Sequence, residues 1–130
     1  MPVPTFRALS IKQPWLNLIV SGRKTIETRV WSTPHRGDLL LCASAAPRIA
    51  PFGCAVCLVE LVDCRPMQPE DWVAACITPY GGTVPAPYAK KGTPPPKVVY
   101  GWHLANLRPV AQIPVLGRQQ LFPVTLLDLS

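Results

Sequence analysis

Apolar positions along this chain come in short bursts separated by prolines and polar turns, a rhythm of small elements rather than of long amphipathic helices. Arg7 to Ile11 reads as a first strand. Pro14 to Ser21 then predicts a helix of about two turns, with Pro14 suited to its start and Gly22 to the position past its end. Trp15, Leu18 and Ile19 fall on one face of it, and so short a helix persists only when docked on a sheet. Residues 25–31 alternate as a half-buried strand does. Ile26, Thr28 and Val30 point one way, and Thr25, Glu27, Arg29 and Trp31 the other.

After a polar turn over 32–38, Leu39 to Ala43 is a continuous apolar run and predicts a buried strand. Ala45 to Pro51 predicts a loop, and Gly53 opens a long strand ending near Asp63. Pro69 to Cys76 predicts a second short helix, with Glu70 and Asp71 in the first turn, where the helix dipole favours acids. A proline- and glycine-rich stretch over 79–96 predicts a loop insert, either a lid or a disordered segment. Val98 to Leu104 resumes as a strand. Ile113 to Val115 and Leu121 to Val124 are extended pieces too proline-marked for central strands, suited to covering an edge. Short strands, two short helices and no βαβ rhythm point to an α+β, mainly β fold. The expected form is a small, strongly bent sheet closed into a barrel, with the helices flanking a cleft at its mouth.

Composition narrows the picture. The 130 residues suffice for one domain with one core, and 17 prolines argue against a helical bundle. No apolar run approaches the roughly 18 residues of a membrane span, and the N-terminus lacks a signal-peptide pattern, so a cytoplasmic protein with no membrane partner is expected. The five cysteines then read as small buried residues. Cys54 and Cys57 form a C-x-x-C, but residues three apart on a strand face opposite sides and no second ligand pair follows. No metal site and no cofactor are expected. The formal charge of +6 gathers in residues 1–50, with seven basic groups against two acidic ones, whereas residues 51–130 hold six against five. That bias suits an anionic partner, with nucleic acid or nucleotide foremost, although solubilising charge would give the same total.

Within this frame Lys24, Glu27 and Arg29 are unusual charges for a half-apolar segment. Glu60 likewise interrupts an otherwise apolar strand and needs a partner. If these four share a cleft, neighbouring cations favour ionised carboxylates while burial opposes charge on every member. A depressed lysine would serve as a base and a raised carboxylate as an acid, making Lys24, Glu27 and Glu60 the catalytic candidates. The alternative is an ion network that fixes the first helix on the sheet. For binding, Trp31, Tyr80, Tyr88 or Trp102 would stack on a base and Glu27 with Arg29 would read its edge. Ser10, Lys12, Lys24 and the amides at the helix start would hold phosphate or ribose. Trp15, on the apolar helix face, is assigned to the core, as is Trp102. His103 has the opposite parity to Trp102 and forms no recognisable triad with His35.

The order of these pieces resembles the ASCH domain, a branch of the PUA-like β-barrels. The element G-x-K-x-x-E-x-R is matched by Gly22, Lys24, Glu27 and Arg29. Leu9 to Trp15 before it, Arg36 to Ser44 after it, Gly101 to Pro109, and the Gly117 to Phe122 ending are similar to blocks of one ASCH subgroup. The resemblance spans most of residues 1–130, read as a single domain with the 79–96 insert. It implies a cleft beside the first helix into which the motif lysine, glutamate and arginine project. It also implies a partner that is RNA, a nucleotide or a modified nucleoside. Some members of the family resemble amidohydrolases of N4-acetylcytidine, and one is associated with ribonuclease activity. Those amidohydrolases use a lysine, a threonine three residues on and a glutamate on a later strand. Lys24 matches the first and Glu60 is a fair match for the last, but Glu27 stands where the threonine belongs, with Thr25 and Thr28 to either side of the needed parity. An adaptor that binds another protein through the proline-rich loop is the third reading.

Overall fold

A computed structural model describes residues 3–77 and 98–126. Its elements run β1 (Thr5–Ile11), α1 (Trp15–Val20), β2 (Ile26–Arg29), β3 (Gly37–Ala43), β4 (Cys54–Pro66), α2 (Asp71–Ala74), β5 (Tyr100–Pro109) and β6 (Leu121–Thr125). The strands form one six-stranded sheet in the order β2-β5-β4-β3-β1-β6. All neighbours are antiparallel except β1 and β3, whose parallel pairing requires the crossover that α1 and β2 supply.

The apolar run of β3 is explained by a sheet covered on both faces. Leu39, Leu41 and Ala43 join Leu9, Ile11, Val59, Leu61 and Trp102 under α1, which contributes Leu16 and Ile19. Leu40 and Cys42 join Ala8, Leu58 and Phe122 on the reverse face. α1 is secured by a buried side chain ahead of it: Gln13 Oε1 accepts from the Asn17 amide at 2.9 Å, and Gln13 Nε2 donates to the Pro51 carbonyl at 2.9 Å. α2 is a single turn over Asp71–Ala74, shorter than the sequence suggests. The buried Asp71 carboxylate accepts from the Gln68 amide at 2.8 Å and holds the chain entering it.

Two expectations are corrected. The C-x-x-C thiols do not face apart: Leu41 pairs with Cys57 but Cys42 pairs with Ala55, so Val56 is an extra residue that resets the alternation. Cys54 and Cys57 therefore enter the same buried cluster. Burial pushes the Cys57 and Cys42 thiols up to about 12, leaving both protonated. The barrel also does not close by backbone pairing among the described residues. β2 and β6 stand at opposite ends of the ladder. β2 is only four residues long, and Pro123 in β6 lacks an amide to donate. Leu121–Thr125 is an edge strand on β1, while Pro114 bridges Cys54. The 79–96 insert, with Tyr80 and Tyr88, lies outside the described residues. Among the described residues no helix is long and apolar enough to cross a membrane.

Trp102 is fully buried, meets the Trp31 ring edge-on at 4.9 Å between centroids, and donates its indole N–H to the Trp31 carbonyl at 3.4 Å. Trp102→Ala is expected to lower stability by about 3–5 kcal/mol, read as a fall in the urea midpoint with the slope unchanged. A midpoint shift of a tenth of that would show that the ring is not central to the core.

Candidate functional site

The site begins where α1 ends. Gly22 takes φ +85, a left-handed conformation open to glycine, and the amides of Arg23 and Lys24 both donate back to the Leu18 carbonyl, at 3.1 and 3.0 Å. The chain thus folds under the helix and drives Lys24 inward, to 1% exposure. Lys24 precedes β2 rather than belonging to it, so strand parity does not separate its side chain from that of Glu27. Its ammonium donates to the Ala75 carbonyl just past α2 and lies 5.3 Å from the centre of the Trp15 ring.

β2 then presents Glu27, also buried. Its Oε1 accepts from the Thr28 amide at 2.8 Å and lies 3.7 Å from Lys24 Nζ and 3.4 Å from Arg29 Nη1. Among the described residues its Oε2 has no hydrogen-bond partner, and it is shut away from solvent. Arg29 donates Nη1 to the Thr28 carbonyl and Nη2 to the Ser10 carbonyl, each at 2.9 Å. β1 and β2 are not neighbours in the sheet, so this guanidinium spans a gap between them that no backbone pairing bridges among the described residues. Burial pushes the Lys24 pKa below its usual value, opposed by the Glu27 carboxylate and aided by the Arg29 charge.

A cavity of about 920 Å³ occupies that gap. Lys24, Glu27, Thr28 and Arg29 line one part of it, Trp15 and Trp31 contribute indoles, and Ser10, Lys12 and Ser44 line the β1 side. Residues 116–120 complete it, with Arg118 exposed. The Ser10 and Ser44 hydroxyls are 3.0 Å apart, and a Cβ on Gly117 would lie 2.8 Å from Ser10 Oγ, so this wall is in close contact.

Of the residues singled out in the sequence, Ser10, Lys12, Lys24, Glu27, Arg29 and Trp31 all line this one cavity. Glu60 does not. It is exposed, opposite Asp38 and Ala105, and shares the parity of Leu58, which packs on the reverse face of the sheet. Tyr88 lies outside the described residues. Trp102 is core beneath Trp31, as expected, while Trp15 both packs on the core and lines the cleft. His103 pairs with Ile26 across β2 and β5 and lies away from the lining, its Nε2 buried without a partner among the described residues. Sequence reasoning did not single out Ser44 or Arg118; the latter belongs to the Gly117 to Phe122 block, where its charge was the available signal.

A mainly β sheet bent round a charged cleft, with short helices beside it, defines the PUA-like class. Residues 9–113 match the ASCH domain, and the chain belongs to that family, which is associated with RNA binding. It is similar to activating signal cointegrator 1 of Homo sapiens (35% identical over 80 residues) and of Mus musculus (34% over 80). Each match covers 43% of this chain but only 14% of the relative, so the chain corresponds to a small part of those proteins. The crystal structure of ASCH from Zymomonas mobilis is similar in fold, with a TM-score of 0.63 at 16% identity, covering 89% of this chain and 85% of that one.

Because Lys24 is harder to charge in the folded than in the unfolded chain, its contribution to stability is present above the unfolded value and lost as pH falls through the depressed folded value. Denaturation of the native protein and of Lys24→Met should show the native protein gaining on the variant as pH rises toward the ordinary lysine range. A difference independent of pH would show that Lys24 is charged as readily in the fold as in water.

Proposed function

We propose that this domain binds RNA, a nucleotide or a modified base in the cleft between β1 and β2. The observation that carries this reading is the convergence in one cavity of a buried carboxylate, a guanidinium and two indoles, with Lys12 and Arg118 exposed around it. Flat indoles offer stacking surface to any base, hydrogen-bonding groups read its edge, and exposed cations attract the backbone. The cavity volume lies in the range of small-ligand sites.

Lys12→Ala and Arg118→Ala should each weaken binding of a short single-stranded RNA and reduce the slope of log affinity against log salt by about 0.7–1. Both side chains are exposed, so melting temperature should not move. Fluorescence anisotropy across a salt series measures the effect, and affinity insensitive to salt would remove the reading.

A second reading, a hydrolase acting on a modified nucleoside such as N4-acetylcytidine or on RNA, has one observation in its favour. Lys24 is depressed by burial and sits 3.7 Å from Glu27, with Thr28 lining the same cavity. An uncharged amine there would take a proton from water as the hydroxide adds to an acyl carbon. Glu60 has no part in this version. Release of acetate from N4-acetylcytidine, or RNA cleavage, should then occur and be lost in Lys24→Ala, whereas a flat panel of acylated nucleosides and RNAs leaves binding alone.

A further inference from the structure

Charge around the cleft is unevenly compensated. Glu27 is the single carboxylate among the described residues that line the cavity, and it is already shared between Lys24 and Arg29. Lys12 and Arg118 line the same cavity, are exposed, and make no ion pair among the described residues. These two cations flank a polar wall. β1 and β3, the parallel pair of the sheet, end together beside it, at Ile11 and Ala43. Ser44, directly after β3, donates its amide to the Ile11 carbonyl at 3.0 Å, and its hydroxyl lies 3.0 Å from that of Ser10. Two hydroxyls that share one hydrogen bond keep one proton to give to a guest, and both serines line the cavity and are partly exposed. Lys12 stands two residues beyond Ser10, and Arg118 one beyond Gly117, whose backbone lies against the Ser10 hydroxyl.

We propose that this wall, Ser10 and Ser44 with Lys12 and Arg118, is a phosphate subsite, and that the cleft takes a base-bearing ligand ending in a phosphate monoester. This rests on the nucleic-acid reading above and narrows it to a nucleoside monophosphate or the phosphorylated end of an RNA, which present the same group. Two uncompensated cations match a monoester, which carries about −2 at neutral pH, whereas a diester within a strand carries a single charge and a nucleoside none. The hydroxyls add short, charge-assisted donors to its oxygens. The buried trio is unsuited to an anion, because Glu27 repels it and offsets the field of Lys24 and Arg29. Phosphate and base are thereby drawn to different sides of one cavity, which fixes the direction in which the ligand lies.

Isothermal titration would compare adenosine, cytidine, guanosine and uridine with their 5′- and 3′-monophosphates and with the methyl esters of those phosphates, alongside a short single-stranded RNA with and without a terminal phosphate. The preferred monophosphate should bind at least about tenfold more tightly than its nucleoside and its methyl ester. Ser44→Ala and Arg118→Ala should each cut that ratio to about threefold or less. The ratio is first read on the native protein, so the test stands even if a variant does not fold. Monophosphates that bind while RNA is indifferent to its terminus assign the subsite to free nucleotides; a terminal phosphate that tightens RNA while no monophosphate binds assigns it to an RNA end. Nucleosides or methyl esters that bind as well as the monophosphates overturn the inference and leave base binding intact. So does RNA indifferent to its terminus when no monophosphate binds, and so does inorganic phosphate that binds as tightly as the monophosphates, the mark of a bare anion site. Failure of every nucleoside, nucleotide and RNA to bind overturns the underlying reading as well.

Discussion

A carboxylate buried between a lysine and an arginine organises this domain. Removing Glu27 from water is tolerable only because Lys24 and Arg29 approach the same oxygen, and each cation is in turn tied to a different element. Lys24 reaches the carbonyl that follows α2 and lies against the indole that opens α1, while Arg29 reaches the backbone of β1. One small ion cluster therefore sets how both helices and two strands that share no ladder stand relative to one another. Losing any member would leave a charge in a dry place, a far larger penalty than losing a surface pair.

The same cluster explains why the cleft exists. β1 and β2 stand apart in the ladder, whose ends are β2 and β6, and they meet without the backbone pairing that would leave no room for a guest. Instead β2 pairs on one side only, with β5, and a side chain crosses the gap. An arginine is long enough to span the opening while its remaining donors stay available. The empty volume lies beside this side-chain clamp.

Much of this was legible in the sequence, and the gaps have physical causes. The apolar run of β3 announced a strand buried on both sides, Gly22 announced the left-handed turn after α1, and Lys24, Glu27 and Arg29 announced a shared site. Simple alternation failed where the backbone departs from a regular strand. It would have separated Lys24 from Glu27, because the turn that delivers Lys24 lies before β2 and obeys no parity. It also set Cys54 and Cys57 on opposite faces, since nothing in a run of small apolar residues marks Val56 as the extra residue. Glu60 was drawn toward the cleft by its need for a partner, yet the reverse face turns outward at that point and water meets the need. Trp15 was assigned to one of two roles when its ring fills both, an indole being wide enough to rest on a core with one side and border a cavity with the other.

Gly117 bears on how the wall of the cleft is held. With no side chain it lets the stretch before β6 lie directly on Ser10, where a methyl group would stand 2.8 Å from the hydroxyl. A larger residue there would have to displace the Ser10 hydroxyl, which lines the cavity. The ion cluster reaches the same residue through Arg29, which donates to the Ser10 carbonyl. Gauge and chemistry thus meet at Ser10, whose hydroxyl lies beside Gly117 and whose carbonyl holds the charged anchor.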